Sequence, residues 1–265
     1  MISQQLSDAV ARTIAATGSA YYGQTLDSLT ECVAEFDMSC AFVFSSDQRP
    51  IVIHDGYSET VDRRALRSYL RGAYLLDPFY TACVSGVAEG LWRMRDLAPD
   101  RFYDAQFAWS REVHPCISDE AGTLVEEVGF IVPLSSGTAA NYSLMRNRGG
   151  QLFDDTEFEA LARLTPIIAA SLRQHWPFIR NPDADAPDGR RDADLVFQQV
   201  FGDALTPAQY AVTQLILRGH SSLSIAAHLG IAEGTVKIHR SNIYRRLGIS
   251  SQSELFQRFI DHLVE

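Results

Sequence analysis

An α+β unit followed by an all-α unit is the fold class this sequence predicts. Residues 1–180 mix helical apolar spacing with short strand-like runs, whereas residues 201–265 hold four helical segments and no strand pattern. Between them lies Asn181-Pro-Asp-Ala-Asp-Ala-Pro-Asp-Gly-Arg-Arg-Asp-Ala193, rich in proline and acid and without an apolar period. At 265 residues the chain is long enough for two domains that each bury a core. The expected division is 1–180, a linker over 181–200, and 201–265.

The elements of the first unit follow in order. Leu6, Val10 and Ile14 put a helix over residues 4–17, and Leu26, Leu29, Val33 and Phe36 put another over 25–36. Ser39 to Ser45 and Ile51 to Ile53 read as strands on either side of the turn-like Ser46-Asp-Gln-Arg-Pro50. Residues 59–71 read as helix. Ala121 to Leu134 and Ala139 to Arg148 read as a hairpin around Ser135-Ser-Gly-Thr138. Asp154 to Trp176 reads as one long helix, kinked at Pro166, with Phe158, Leu161, Leu164, Ile168 and Leu172 on one face. Helices, strands, a helical middle, strands and a helix suggest an antiparallel sheet packed with helices, of PAS or GAF type.

In the second unit, Thr206-Pro207 is a helix start, a hydroxyl cap before proline at the first helical position. Val212, Leu215 and Ile216 follow at helical spacing, and Gly219 stops that helix. Ser221 or Ser222 caps a short second helix carrying Ile225, Ala226 and Leu229, which Gly230 ends. Thr235 is placed to cap a third, with Val236, Ile243 and Leu247 inward and Lys237, Arg240, Ser241, Asn242, Tyr244, Arg245 and Arg246 outward. Gly248 closes it. A fourth helix follows Ser251 or Ser253, with Leu255, Phe256, Phe259 and Ile260 apolar. Two short helices joined by a tight glycine turn, the second cationic outside, fit a helix-turn-helix that enters the major groove. The plainer alternative is a solvated charged face on a helical bundle.

The charge distribution favours the groove. The formal net charge is −10, yet residues 195–265 carry six basic and five acidic side chains, leaving 17 basic and 28 acidic elsewhere. Between 206 and 250 the count is five basic to one acidic. A local positive field suits a docking helix, and an acidic remainder discourages unspecific binding. Lys237 is the only lysine in the chain. A phosphoacceptor receiver domain and a P-loop nucleotide site both need a lysine, so residues 1–236 fit neither.

Leu205-Thr-Pro, then Gly219-His-Ser-Ser-Leu-Ser-Ile-Ala-Ala-His-Leu-Gly-Ile, then Glu233-Gly-Thr-Val-Lys-Ile-His-Arg-Ser-Asn-Ile-Tyr-Arg-Arg-Leu-Gly-Ile-Ser-Ser resembles the C-terminal domain of LuxR-type regulators, the class shared with FixJ and NarL. The resemblance covers about the last quarter of the chain. It implies a four-helix domain that binds double-stranded DNA as a homodimer. Carried over position by position, it assigns Lys237, Arg240 and Ser241 to the groove and Thr235 and His239 to the backbone, with Ile238 and Arg245 completing the DNA-binding set. The helix from Ser251 matches the dimerising one. The sequence departs from the family at Gln209, where an acidic residue is usual, and at Ser222-Leu223, where a polar pair is usual; the first removes an expected intradomain ion pair.

A sensor pocket is sought between Tyr69 and Cys116, a segment rich in aromatic residues, which either line a ligand site or pack the core. Asp77, in Tyr74-Leu-Leu-Asp-Pro-Phe-Tyr80, is either the N-cap of a helix starting at proline or a carboxylate that needs a donor. This stretch resembles the acyl-homoserine-lactone-binding LuxR proteins, in which a tyrosine-rich helix runs into Asp-Pro and a tryptophan follows about fifteen residues later, as Trp92 follows Asp77. That resemblance implies that Asp77 accepts from a ligand amide and Trp92 donates to a lactone carbonyl. The Trp-x-x-x-Tyr pair of that family is absent. The ligand-binding candidates are Tyr69, Tyr74, Asp77, Trp92 and Trp109.

Catalysis is not expected. His114-Pro-Cys116 has no third orienting group, and Glu126-Glu127 on a strand face opposite sides. The four cysteines (32, 40, 83, 116) lack metal-site spacing, so no metal and no cofactor is expected. The start lacks a basic-then-apolar signal pattern, and no apolar run approaches about 18 residues, so a cytoplasmic chain without a membrane partner is expected. These readings combine into a DNA-binding transcription regulator whose first domain senses a small-molecule effector and contributes to dimerisation. The alternative is a ligand-independent regulator whose first domain is a dimerisation or protein-partner module.

Overall fold

The computed structural model describes residues 3–57, 63–110, 124–135, 137–147, 149–179 and 193–264. The chain opens with α1 (Gln4–Ala15), capped by the Ser3 hydroxyl, and α2 (Tyr22–Thr30). Strands β1 (Met38–Ser45) and β2 (Ile51–Gly56) follow, then α3 (Arg63–Arg71), a 3-10 turn over Ala73–Leu76, and α4 (Pro78–Val84). A short β3 (Gly90–Arg93), α5 (Met94–Leu97) and two more 3-10 turns lead to the hairpin of β4 (Leu124–Ser135) and β5 (Thr138–Asn147). The first unit ends with α6 (Asp155–Ala162) and α7 (Thr165–His175).

The five strands form one sheet in the order β2-β1-β5-β4-β3, with antiparallel neighbours. An antiparallel sheet flanked by helices is the expected α+β architecture. Because side chains alternate across a strand, β1, β4 and β5 each feed two cores. Ala41, Val43, Val128, Phe130, Val132, Tyr142 and Leu144 pack towards α1, α2, α6 and α7. Cys40, Phe42, Phe44, Ile131 and Met145 pack on the opposite face, towards α3 and α4.

Two expectations about elements are corrected. The single helix over 154–176 is two helices broken at Arg163 and Leu164, with Pro166 in the first turn of α7. Proline has no N–H and its ring crowds the carbonyl four residues back, so the chain restarts rather than bends. Strand β3 lay inside the expected helical middle. Gly90-Leu-Trp-Arg93 has no helical period and pairs with β4 from Gly90↔Ile131 to Arg93↔Val128. His114 and Cys116 lie outside the described residues.

In the second unit, α8 (Ala193–Phe201), α9 (Pro207–Leu217), α10 (Ser222–Leu229), α11 (Glu233–Leu247) and α12 (Gln252–Val264) follow. Helix α8 occupies residues assigned from sequence to the linker and the start of the last domain. Its Phe197 stacks on Phe259 of α12 at 5.0 Å between ring centres. Thr206 caps α9 in a reciprocal box with Gln209, and Ser221 caps α10 by accepting from the Ser224 amide. Gly219, Gly230 and Gly248 take φ of +92°, +64° and +68°, the left-handed values that end α9, α10 and α11.

The two units share one apolar cluster. Val196, Phe197, Phe201 and Leu263 join the side chains of α3, the Ala73–Leu76 turn and Phe102. Polar ties reinforce it. Arg71 donates to the Leu263 carbonyl (2.9 Å), Arg218 to the Leu75 carbonyl (3.2 Å), the Arg101 amide to the Gly219 carbonyl (3.0 Å), and the Ser221 amide to Asp100 (2.9 Å).

Candidate nucleic-acid interface and sensor site

Helix α11 divides into two faces. Val236, Ile243 and Leu247 are buried, while Thr235, Lys237, Ile238, Ser241 and Arg245 are exposed and His239 and Arg240 half-buried. Lys237 pairs with Glu233 one turn back at 2.7 Å, both largely exposed. Such a pair contributes little, so the ammonium is easily given up to a phosphate. Arg240 reaches Ser222 of α10 and the Tyr244 hydroxyl, both at 3.4 Å, which holds its guanidinium between the two helices of the motif. Arg245 donates to Asn242 at 2.7 Å. Ile238 is 62% exposed and Leu223 69%, two large apolar side chains left in solvent on the same pair of helices.

Two local expectations change here. Thr235 does not cap α11. The helix starts at Glu233 after Ala232, and Thr235 is its third residue, its amide bonded to the Ala232 carbonyl at 2.9 Å. The N-cap has no side-chain acceptor, and the acidic Glu233 complements the exposed amides of the first turn. The contact expected to be lost at Gln209 persists in neutral form. Gln209 is buried, and its carbonyl oxygen accepts from Arg246 (3.0 Å) and from the Thr206 amide (3.1 Å). Arg246 therefore ties α11 to α9.

Helix α12 spends its apolar face within the chain. Leu255, Phe256, Phe259, Ile260 and Leu263 are all buried, and Ser253, Glu254, Gln257, Arg258, Asp261 and His262 are exposed.

In the first unit, Asp77 fills both roles its sequence context allowed. It is the N-cap of α4, with Oδ1 accepting from the Phe79 amide at 2.7 Å ahead of Pro78. It is also a buried carboxylate whose Oδ2 accepts from the Tyr69 hydroxyl at 2.5 Å. The Tyr69 ring lies 5.2 Å from Phe42 and 6.4 Å from Tyr74, and Tyr74 meets Tyr80 at 4.9 Å. Tyr69, Tyr74 and Asp77 are thus brought together over the sheet. Trp92 is half-buried on the edge strand β3, paired with Gly129, and its indole N–H donates to the Ala88 carbonyl at 3.0 Å. Trp109 is not part of this cluster: it is 47% exposed and donates to the Tyr103 carbonyl.

Two residues of this site, Glu127 and Asn141, were missed in the sequence. Glu126 and Glu127 do face opposite sides of β4. Glu126 binds Arg93 at 2.5 Å and accepts from the Phe153 amide at 2.6 Å on the α6 side. Glu127 instead points to the α3–α4 side, buried, bonded to Ser143 and close enough to Asp77 to feel its charge. Burial, then the Asp77 charge, raises the Glu127 pKa to about 8. Burial raises Asp77 to about 6 against the bonds from Tyr69, Phe79 and Tyr80 that oppose it. Asn141 on β5 is 2% exposed; its amide donates to Ser143 at 2.8 Å, and its Oδ1 has no partner. The signal in the sequence was a charged pair in an otherwise apolar strand, where one member had to face a core.

A cationic helix exposed behind a glycine turn, joined to an α+β unit, defines a helix-turn-helix DNA-binding regulator. Residues 203–259 match the family described as bacterial regulatory proteins, luxR family. An HTH-type transcriptional regulator from the exeN 3′ region of Aeromonas salmonicida is 30% identical over 202 residues, 71% of this chain and 95% of the relative. The transcriptional regulatory protein MctR of Rhizobium johnstonii is 38% identical over 135 residues, 50% of this chain and 58% of MctR. The chain belongs to the luxR family of transcription regulators. The crystal structure of the VqsR LBD domain from Pseudomonas aeruginosa covers 66% of this chain and 99% of its own, with a TM-score of 0.53 at 21% identity, so the first unit shares that fold. No helix among the described residues is long and apolar enough to cross a membrane.

Proposed function

We propose that this regulator binds specific double-stranded DNA as a homodimer through α11 and that its first unit senses a small molecule at the Asp77 site. The division we propose falls within residues 180–192, with α8 part of the DNA-binding unit. The observation that carries the DNA side is the split of α11, whose buried stripe fixes the helix while Lys237, Arg240, Ser241 and Arg245 stay available. Thr235 and His239 are assigned to phosphates. Arg240 is assigned to a base edge, and Ile238 to the apolar methyl of thymine.

The sensing role is supported by a buried carboxylate under an aromatic roof, the pairing of apolar walls with a few polar anchors that small-ligand pockets share. A ligand acts on DNA binding only through different affinities for two arrangements of the protein. The docking of α8, α10 and α12 on the first unit is one such arrangement.

The test has two parts. Selection of bound duplexes from a random pool gives the operator, and native mass spectrometry of protein from its own cells, followed by denaturation, identifies any released molecule. A stoichiometric adduct that Asp77→Asn abolishes is the expected result. An empty protein whose operator affinity no cell extract changes would leave the first unit as a partner-binding or dimerisation module.

A further inference from the structure

The sheet face beneath α3 and α4 carries a polar island that a lactone-type reading does not use. Glu127, Asn141 and Ser143 sit there on β4 and β5, facing Asp77 at the head of α4. Gly129 lets Phe79 and Asn141 close directly over the strand: a Cβ there would lie 2.6 Å from Phe79 Cε1 and 2.7 Å from Asn141 Oδ1.

The island is rich in acceptors. It holds two carboxyl groups and the unpartnered Asn141 Oδ1. Three donors among the described residues are already engaged, the Tyr69 hydroxyl with Asp77, one Asn141 N–H with Ser143, and the Trp92 indole with the Ala88 carbonyl. A ligand carbonyl would find at most the second Asn141 N–H in that set, whereas a group bringing N–H donors and positive charge would meet both carboxyl groups and Asn141 Oδ1. Rings of Phe42, Tyr69, Tyr74 and Tyr80 border the acids, and such faces favour an organic cation. A metal ion that keeps its water or needs six or more oxygens suits them poorly.

We infer that the effector is a small primary or secondary ammonium compound, its charged head bound between Asp77 and Glu127 with Asn141 Oδ1 as third acceptor. The inference rests on the sensing reading above and narrows it to one ligand class. Binding must displace a proton, since the two buried carboxyl groups face each other and Tyr69, Cys83 and Tyr103, which feel their charge, are neutral.

The test uses the full chain with ethanolamine, putrescine and tyramine, each beside its fully N-acetylated form, followed by thermal shift and calorimetry in buffers of different ionisation enthalpy. The expected result is stabilisation by at least one free amine and by none of the acetylated forms, with release of about one proton per site. The isosteric Glu127→Gln change should weaken the amine about 30-fold or more and abolish the proton release, as when one partner of a buried charged contact is removed. Equal stabilisation by an acetylated form, or unchanged affinity in Glu127→Gln, overturns the inference. So does the absence of any shift with all three amines. A neutral molecule released from the native protein would sink the ammonium assignment and leave the sensing role standing.

Discussion

Glu127→Gln should make the ligand-free protein more stable above neutral pH and leave it unchanged in acid. In the folded chain the Glu127 carboxyl is held at about 8 by burial and by Asp77, against 4.5 in the open. Its folded value is raised, so the folded state binds the proton more tightly than the unfolded state does. That advantage is whole below about pH 4.5 and is lost as pH rises through about 8, where the buried group must ionise beside a second carboxylate. At about 1.4 kcal/mol for each tenfold in proton affinity, the gap between 4.5 and about 8 caps the loss at about 5 kcal/mol. Because Asp77 shares the proton and can relax, we expect about 3 kcal/mol. Glutamine keeps the shape and never ionises. Urea unfolding of the two proteins across this range should give free-energy curves that coincide in acid and separate upward to a plateau near pH 9. Background titration of groups other than Asp77 cancels in the difference. Curves that stay parallel throughout would refute the burial of Glu127 against Asp77.

Arg240→Ala should cost about 1–3 kcal/mol in operator affinity and relax the preference at one base pair, read by competition with point-mutated duplexes. Gly219→Ala puts a Cβ 2.6 Å from the Phe102 backbone at a φ of +92°, so it should loosen the docking of the second unit and speed proteolysis between residues 180 and 192, measured against time. Gln209→Ala removes the shared acceptor of Arg246 and the Thr206 amide and should destabilise by about 1–3 kcal/mol in chemical denaturation. Gln209→Glu should retain stability, since it restores an acidic partner to Arg246.

What was legible in the sequence was local. Glycines at 219, 230 and 248 and the caps at Thr206 and Ser221 act within a few residues, and the helix-turn-helix follows from them almost without tertiary help. Pro166 was seen, but its effect depended on how much neighbouring packing would tolerate, and the helix broke. Strand β3 was hidden because four residues carry no period, and its pairing with β4 supplies the structure. Asp77 and Glu127 stand fifty residues apart and meet only because α4 lies over the sheet, a fact no spacing rule encodes. Trp109 looked equivalent to Trp92 by composition, and only the backbone path separates an exposed ring from one on the sheet edge.

The apolar cluster that runs from α3 and the Ala73–Leu76 turn into α8 and α12 sets how this protein can be cut. A Cβ on Gly72 would lie 2.8 Å from Leu263 and 2.9 Å from Val196, so the surface left bare by a truncation at residue 180 is a fitted socket, and the fragment should aggregate rather than report on ligand. Kept whole, the docked chain should melt in one cooperative transition, with operator DNA and effector each acting on a shared folding equilibrium. Hydrogen exchange in α12 would then register what happens at Asp77, making the last helix of the chain a reporter for a site it does not touch.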